Sequence, residues 1–213
     1  MSDIFREIDE ELRRDNLLKL WQRYGKYVIV AAAVLVAATA VAAGWREYQS
    51  RQAQAQGVRY EAALSLARQG KDREAAGAFA ALAQNSAAGR AVLARFEEAA
   101  LKAKAGDRDG AIALYGAIAA DSGADQAYRD LANLLAARLE LDKDPKDAAT
   151  RLAPLTDAGN PWHSTALELT ALAALDEGDK TKARATYQRL ADDLAAPQGA
   201  RARAAEMVAA LGQ

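Results

Sequence analysis

Three short stretches contain residue types that could do chemistry. They are the histidine of PWH at 161–163, the acidic pattern GDRDG at 106–110, and the pair Asp192-Asp193. A catalytic histidine needs a partner, and a zinc site usually takes several His or Cys ligands. His163 is the chain's one histidine, and the chain has no cysteine. We therefore expect His163 to be an ordinary surface residue near a helix start.

The two acidic stretches have simpler interpretations than a metal site. GDRDG lacks the twelve-residue ligand pattern of a calcium loop, and Asp192-Asp193 fits a solvated helix end. The sequence has no Gly-rich phosphate loop, no G-x-S-x-G and no H-E-x-x-H. We predict that the chain is not an enzyme, has no catalytic, cofactor-binding or metal-binding residues, and takes no small-molecule substrate.

Composition indicates the class of fold. Alanine makes up about a quarter of the chain, Leu, Glu, Arg and Lys are frequent, and proline and aromatic residues are few. This mixture favours helix over sheet and predicts an all-α fold. The net charge is −1, so no basic field attracts nucleic acid, and we predict no nucleic-acid partner.

An uncharged stretch runs from Tyr27 to Trp45, between Lys26 and Arg46. As a helix it would be about 27 Å long, close to the thickness of the hydrocarbon core of a bilayer. Aromatic residues, which membrane–water interfaces favour, lie at both ends. They are Trp21, Tyr24, Tyr27, Trp45 and Tyr48. The stretch predicts a transmembrane helix over 27–45, between a cytoplasmic segment 1–26 and a periplasmic domain 46–213.

Two other interpretations of this stretch stay open, a cleaved signal peptide and a buried helix of a soluble fold. Ala40-Val41-Ala42 fits a cleavage site, but 26 residues precede the apolar run and six of them are acidic. Five Lys or Arg residues lie within the fifteen positions before Tyr27, and three within the fifteen after Trp45. This bias predicts a cytoplasmic N-terminus in the inner membrane.

Segment 1–26 is predicted to be an amphipathic helix, with apolar residues near one face and charges on the other. The apolar residues are Ile4, Phe5, Ile8, Leu12, Leu17, Leu20, Trp21 and Tyr24. The pattern fits a helix that lies on the cytoplasmic leaflet, or one that docks onto a cytoplasmic partner.

Four similar segments follow, beginning at Gly70, Gly106, Lys143 and Gly178, with separations of 36, 37 and 35 residues. Alanine stands seven positions before each start and five after it, at Ala63, Ala99, Ala136 and Ala171, and at Ala75, Ala111, Ala148 and Ala183. Large residues stand nine and twelve positions after it, at Phe79, Tyr115, Leu152 and Tyr187, and at Leu82, Ile118, Leu155 and Leu190. The repeat predicts an α-solenoid of about four helical hairpins, since stacking buries apolar faces that one hairpin leaves exposed.

Each start is predicted to be a tight turn between two helices, A and B. Glycine accepts the left-handed backbone that ends a helix, and Pro145 replaces it at the third turn by opening the next helix. Pro161 and Pro197 are predicted to begin further helices, the second reaching about Leu211, and 46–69 is predicted to be one helix.

The spacing resembles the tetratricopeptide repeat, in which helix A lines a concave groove. The resemblance implies a groove that binds protein partners and maps these inward-facing residues: Tyr60, Leu64, Leu93, Phe96, Asn133, Glu140, Glu168 and Leu172. Tyr60 and Phe96 occupy equivalent positions, ten residues before a turn. The alternative is that the terminal or membrane-proximal helix fills this groove.

The whole chain resembles the YfgM-like family of ancillary subunits of the bacterial SecYEG translocon. AAGWREYQSRQAQ after the apolar stretch, YEAALSLARQG and ALDEGDKTKARATYQRLADD carry this resemblance. It implies an inner-membrane protein that associates with the translocon and with a membrane-anchored, prolyl-isomerase-like periplasmic chaperone, and that handles newly exported proteins. The alternative function is a scaffold for envelope assembly, in cell division or cytochrome maturation, that binds stable partners.

Overall fold

A computed structural model of the chain describes residues 2–85 and 88–212, with backbone alone for 2–20, 28 and 88. These residues form nine α-helices and no strand: α1 (Ser2–Arg68), α2 (Asp72–Asn85), α3 (Ala88–Lys104), α4 (Arg108–Ala120), α5 (Gln126–Glu140), α6 (Pro145–Leu152), α7 (His163–Asp176), α8 (Lys180–Asp192) and α9 (Gln198–Leu211). A 3-10 turn, Ala153–Thr156, follows α6. The all-α prediction is confirmed. The chain divides into two units, 1–55 and 56–213.

The first unit consists of α1 up to residue 55. An 18-residue window of this helix has a mean hydropathy of 2.3, and none of that window is buried. The helix is therefore long and apolar enough to cross a membrane. The predicted stretches 27–45 and 46–69 belong to this one helix, which ends at Arg68. Most of the predicted amphipathic face of segment 1–26 lies outside the described side chains.

The second unit stacks the four predicted hairpins in chain order. The end of α1 shares an apolar cluster with α2, as Ala63 and Phe79 show. In the same way α3 pairs with α4, α5 with α6, and α7 with α8, and α9 packs against α7 and α8. The last helix begins directly after Pro197 and ends at Leu211, as predicted. This arrangement confirms the expected solenoid, in which each hairpin contacts mainly its neighbours.

Three of the four hairpin turns use glycine as predicted. Gly70, Gly106 and Gly178 have φ angles of 75°, 90° and 80°. The residue after each glycine donates its N–H to a carbonyl five positions back, as Lys71 does to Leu66 at 3.0 Å. This bond closes the end of helix A without a steric penalty, since glycine has no Cβ.

The third turn has no glycine, and the sequence indicates why it still works. Pro145 is the first residue of α6, and Asp144 caps that helix by accepting the N–H of Asp147 at 3.0 Å. Pro154 then falls in the 3-10 turn that follows this short helix. The prediction that Pro161 begins a helix is wrong by two residues, because α7 starts at His163 after a turn.

The predicted repeat register is confirmed by burial. The eight repeat alanines at helix crossings are all 0% exposed. The large residues nine and twelve positions after each turn are all buried as well, and they fill one apolar cluster in each repeat. Full burial of one such side chain stabilises a fold by about 1.5–3 kcal/mol, so these residues are the main source of stability.

Ala111→Leu and Ala183→Leu are expected to destabilise the second unit by about 1–3 kcal/mol each. Both alanines are fully buried, so a larger side chain must push neighbouring helices apart. Urea denaturation of the full chain in detergent measures the change. Ala113→Leu and Ala185→Leu are matched controls, because they make the same change at exposed positions of α4 and α8. Similar midpoints for buried and exposed variants would show that the register is wrong.

Candidate functional site

The first inward-facing aromatic, Tyr60, joins the first two repeats. Its ring is half-buried and meets Phe79 of α2 edge-on, with centroids 5.1 Å apart and planes at 75°. Its hydroxyl donates to Oε1 of Glu97 on α3 at 3.4 Å. Burial and then the charge of Glu97 raise the pKa of Tyr60. Leu64 is half-buried against the same apolar cluster. Tyr60 therefore serves the core as well as the predicted groove.

The second inward-facing aromatic, Phe96, joins three helices. Its ring centroid lies 5.8 Å from that of Tyr115 on α4 and 6.2 Å from that of Tyr128 on α5. Phe96 itself is half-buried. Leu93, one turn before it on α3, remains 44% exposed, which is high for a leucine in a folded domain. Leu93 is thus the predicted groove residue that offers most apolar surface in the first two repeats.

The two predicted positions on α5 differ from each other. Asn133 is half-buried, whereas Glu140 is 8% exposed. Both carboxylate oxygens of Glu140 accept bonds from the Arg151 guanidinium of α6, at 3.0 and 2.7 Å. These bonds raise the pKa of Arg151. Glu140 therefore holds the two helices of the third hairpin together.

The predicted positions on α7 contact the last helix. Both carboxylate oxygens of Glu168 accept bonds from Arg203 of α9, at 3.0 and 2.9 Å. Leu172, one turn further along α7, is 36% exposed. The contact of Glu168 with α9 is consistent with the alternative in which a terminal helix occupies part of the predicted groove. Most apolar residues of the predicted groove therefore lie in the first two repeats, and Leu172 lies in the fourth.

A cleft of about 580 Å³ lies between α2 and α3, and none of the eight predicted residues lines it. Gly77 lines this cleft, and no atom lies within 4 Å of where a Cβ would be at that position. Lys102 and Asp107 also line the cleft and form an ion pair at 2.9 Å. Burial raises the pKa of Glu98, which also lines the cleft. This cleft could not be predicted from the sequence, because its residues come from two helices and a turn and share no regular spacing.

His163 is buried, so its prediction as a surface residue is wrong. It is 9% exposed, and its Nε2 lies 3.4 Å from Oδ2 of Asp193. Asp193 follows α8 and is half-buried, whereas Asp192 is exposed as expected. His163 is buried because the loop after α8 packs against the first turn of α7, which begins at His163.

Comparison with known proteins agrees with this geometry. A family model described as a tetratricopeptide repeat-like domain matches residues 19–208. The chain belongs to this family. A search of curated proteins and a search of solved structures found no match.

Tetratricopeptide repeat-like domains are typically non-enzymatic modules that bind protein partners. Among the side chains that the structure describes (21–27, 29–85 and 89–212), no group of three or more His, Cys, Asp or Glu residues is placed to hold a metal ion. The family therefore supports a protein-interaction role for the repeat domain.

Glu140→Gln is expected to lower the free energy of unfolding by about 1–3 kcal/mol, because it weakens two charge-assisted bonds in a largely buried pair. Glu168→Gln is the matched control, since it removes the same charge from a pair whose arginine is 60% exposed. Its loss should be smaller and should shrink further at high salt. Equal losses in urea denaturation would mean that Glu140 has no special structural role.

Proposed function

We propose that the chain is a non-enzymatic, membrane-anchored interaction subunit of the Sec translocon. In this proposal residues 1–26 lie in the cytoplasm, 27–45 cross the inner membrane and 46–213 work in the periplasm. The repeat domain binds a membrane-anchored chaperone and assists it with newly exported proteins. One observation supports the proposal most: an apolar window with no buried residue precedes, in the same chain, a repeat domain with half-buried aromatic and exposed apolar residues on α1 and α3.

The exposure of the apolar helix supports an anchor over a core helix. Large side chains within it, such as Val34 and Val41, are 63% and 73% exposed. Leaving such a surface in water is costly, at about 25 cal/mol for each Å². A bilayer removes that cost, and a helix satisfies its own backbone hydrogen bonds there.

The ends of this helix also fit two membrane interfaces. Tyr27 is exposed next to Lys26, whose Nζ lies 5.1 Å from the ring centroid. Trp45 and Tyr48 are exposed at the other end, with ring centroids 6.1 Å apart. Amphipathic rings and long basic side chains are favoured at the level of lipid headgroups.

The repeat family and the resemblance to YfgM-like proteins together support the partners in this proposal. The family supports protein binding, and the resemblance adds the translocon and the chaperone. Leu93, which is exposed beside the half-buried Phe96, is the side chain we expect to contact a partner. Truncation of a central apolar anchor commonly weakens an interface by 2 kcal/mol or more, about thirtyfold in affinity.

The topology is tested by a fusion after residue 213 with two reporters. A reporter enzyme active only in the cytoplasm should be silent, and one active only in the periplasm should be active. The reason is that the Lys and Arg residues flanking the apolar stretch favour a cytoplasmic N-terminus. The mature chain should keep its first 45 residues. Activity of the cytoplasmic reporter would overturn the orientation, and a mature N-terminus near Ala43 would overturn the anchor.

The partner proposal is tested by gentle solubilisation and identification of co-purifying proteins. Leu93→Asp should remove the chaperone or client, while Val58→Asp, a change at a 71% exposed position of α1 outside the predicted groove, should keep it. Helical signal and membrane insertion should match wild type for both variants. Equal binding by the Leu93→Asp and Val58→Asp variants would mean that partners bind another surface of the domain. Division or haem-handling proteins in place of the translocon would favour the envelope-assembly scaffold.

A further inference from the structure

The cleft between α2 and α3 reaches the second hairpin turn and adjoins another cleft there. The α2–α3 cleft has a volume of about 580 Å³ and is lined by residues of both helices and of that turn. The adjoining cleft has a volume of about 320 Å³ and is lined mostly by residues 70–74 of the first turn. Arg73 and Ala105 line both of them. Together the two clefts offer more room than a single small ion needs, and they fit a segment of a chain.

Small residues keep the α2–α3 cleft open. Ala76 and Gly77 line it on α2, and Ala105 and Gly106 line it where α3 ends. Gly77 is exposed inside α2, where no atom would lie within 4 Å of an added Cβ. Glycine inside a helix is less favourable than alanine, because its backbone loses more freedom on folding. The free space at Gly77 is therefore present although glycine weakens the helix.

A carboxylate without a partner in the chain lies in this cleft. Glu98 of α3 is half-buried and lines the cleft. Among the side chains that the structure describes, no Lys, Arg or His nitrogen lies within 4.0 Å of its oxygens. Burial raises the pKa of Glu98, against the opposing effect of the charges on Lys102 and Arg95. The ionised carboxylate is thus poorly compensated by the chain itself.

The two basic residues nearest to Glu98 on its own helix bond to other carboxylates. Arg95, one turn before it, donates to Asp121 at 3.0 Å. Lys102, one turn after it, donates to Asp107 at 2.9 Å. A Glu and a Lys four residues apart can pair on the surface of a helix. Because Lys102 bonds to Asp107 instead, Glu98 is available to a cation from outside the chain.

Arg73 is the charged residue on the α2 side of the cleft. It is exposed, and within the described part of the chain it forms no ion pair. Its guanidinium can donate to the main-chain carbonyls of a bound segment. The charges of Arg73 and Glu98 are opposite, and Lys102 is neutralised by Asp107, so the lining has no net charge. The cleft therefore favours one cation next to Glu98 over a polybasic segment.

We propose that the α2–α3 cleft binds a segment of a partner protein and takes one lysine or arginine side chain of that segment beside Glu98. The cationic group donates to the carboxylate of Glu98, and the aliphatic part of the side chain lies against Ala76 and Ala105. Because Glu98 is half-buried, such a bond is stronger than it would be at a fully exposed carboxylate.

This site is separate from the predicted groove, because none of the eight groove residues lines either cleft. The inference rests on the protein-binding role of the repeat family, and it depends neither on the translocon nor on Leu93. A partner can therefore contact the repeat domain on two surfaces, and each surface is tested independently of the other.

The blocked peptide acetyl-Ser-Ala-Lys-Ala-Ser-amide tests the site on the full chain in micelles of an uncharged detergent. NMR of isotope-labelled alanine methyl groups follows Ala76 and Ala105, whose signals should shift during the titration. Norleucine has the stem of lysine without the ammonium, so the norleucine peptide should bind about tenfold more weakly, as expected when a charge-assisted bond is lost. Absence of shifts with the lysine peptide, equal affinity of the two peptides, or tighter binding of a glutamate peptide would overturn the proposal.

Butylamine distinguishes a protein side chain from a free amine as the source of the cation. It should bind more weakly than the lysine peptide, because it has no main-chain carbonyl for Arg73. Equal affinity of butylamine and the peptide would mean that the cleft takes free amines, which would overturn the proposal.

Five variants assign peptide binding to the cleft. Glu98→Gln should weaken it about tenfold, whereas Glu206→Gln, at an exposed position of α9, should not. Gly77→Leu should fill the cleft and block binding, whereas Gly57→Leu, at an exposed glycine of α1 with equally open surroundings, should not. Leu93→Asp should leave peptide binding unchanged, which separates this site from the groove. Unchanged affinity in either Glu98→Gln or Gly77→Leu would contradict the proposed site.

Urea denaturation separates a binding role of Glu98 from a structural one. Glu98→Gln should leave the midpoint unchanged or raise it, because burial disfavours the charge that it removes. Gly77→Leu should not lower the midpoint either, since leucine favours helix and its Cβ meets no atom within 4 Å. A lower midpoint for Glu98→Gln would assign Glu98 to the fold and overturn the proposal.

Discussion

Alanine at the helix crossings sets the spacing on which the repeat domain depends. One alanine on helix A and one on helix B are fully buried in each repeat, so paired helices approach closely. Packed helix axes lie about 8–10 Å apart, and small side chains favour the lower end of that range. Alanine also loses no side-chain entropy on burial. With this spacing fixed, a few large residues, such as Phe79 and Ile118, fill the remaining space between hairpins.

The same constraint explains why the inward-facing aromatics are half-buried. Tyr60 stands three residues before Ala63, and Phe96 three before Ala99, so each ring lies on a helical row next to a crossing. The rings consequently reach Phe79 and Tyr115 in the core. The core and the predicted binding surface therefore share these side chains, and Leu93 is the better probe of the predicted surface because it is more exposed.

Features that repeat could be predicted from the sequence, as could single helices marked by a proline or by an apolar run, whereas side-chain pairs that occur once could not. The turns, the crossing alanines and the large core residues recur four times. Because they recur at nearly constant spacing, the sequence alone distinguishes this pattern from chance. The pairs Glu140–Arg151, Glu168–Arg203 and His163–Asp193 each occur once and join residues 11, 35 and 30 positions apart. Their formation depends on where single loops lie, and the loop before α7 follows an irregular 3-10 turn. The residues next to His163 in the sequence do not indicate that its side chain is buried.

The inward-facing position ten residues before each turn changes its chemistry along the stack, from Tyr60 and Phe96 to Asn133 and Glu168. The last of these is already bound to Arg203, so α9 provides there what the next repeat would provide in a longer solenoid. This terminal helix also packs Met207, Val208 and Leu211 against the apolar cluster of the fourth repeat. Since aromatic side chains are frequent hot spots of interfaces, the proposed binding of a partner along these positions would gain most of its free energy from the first two repeats.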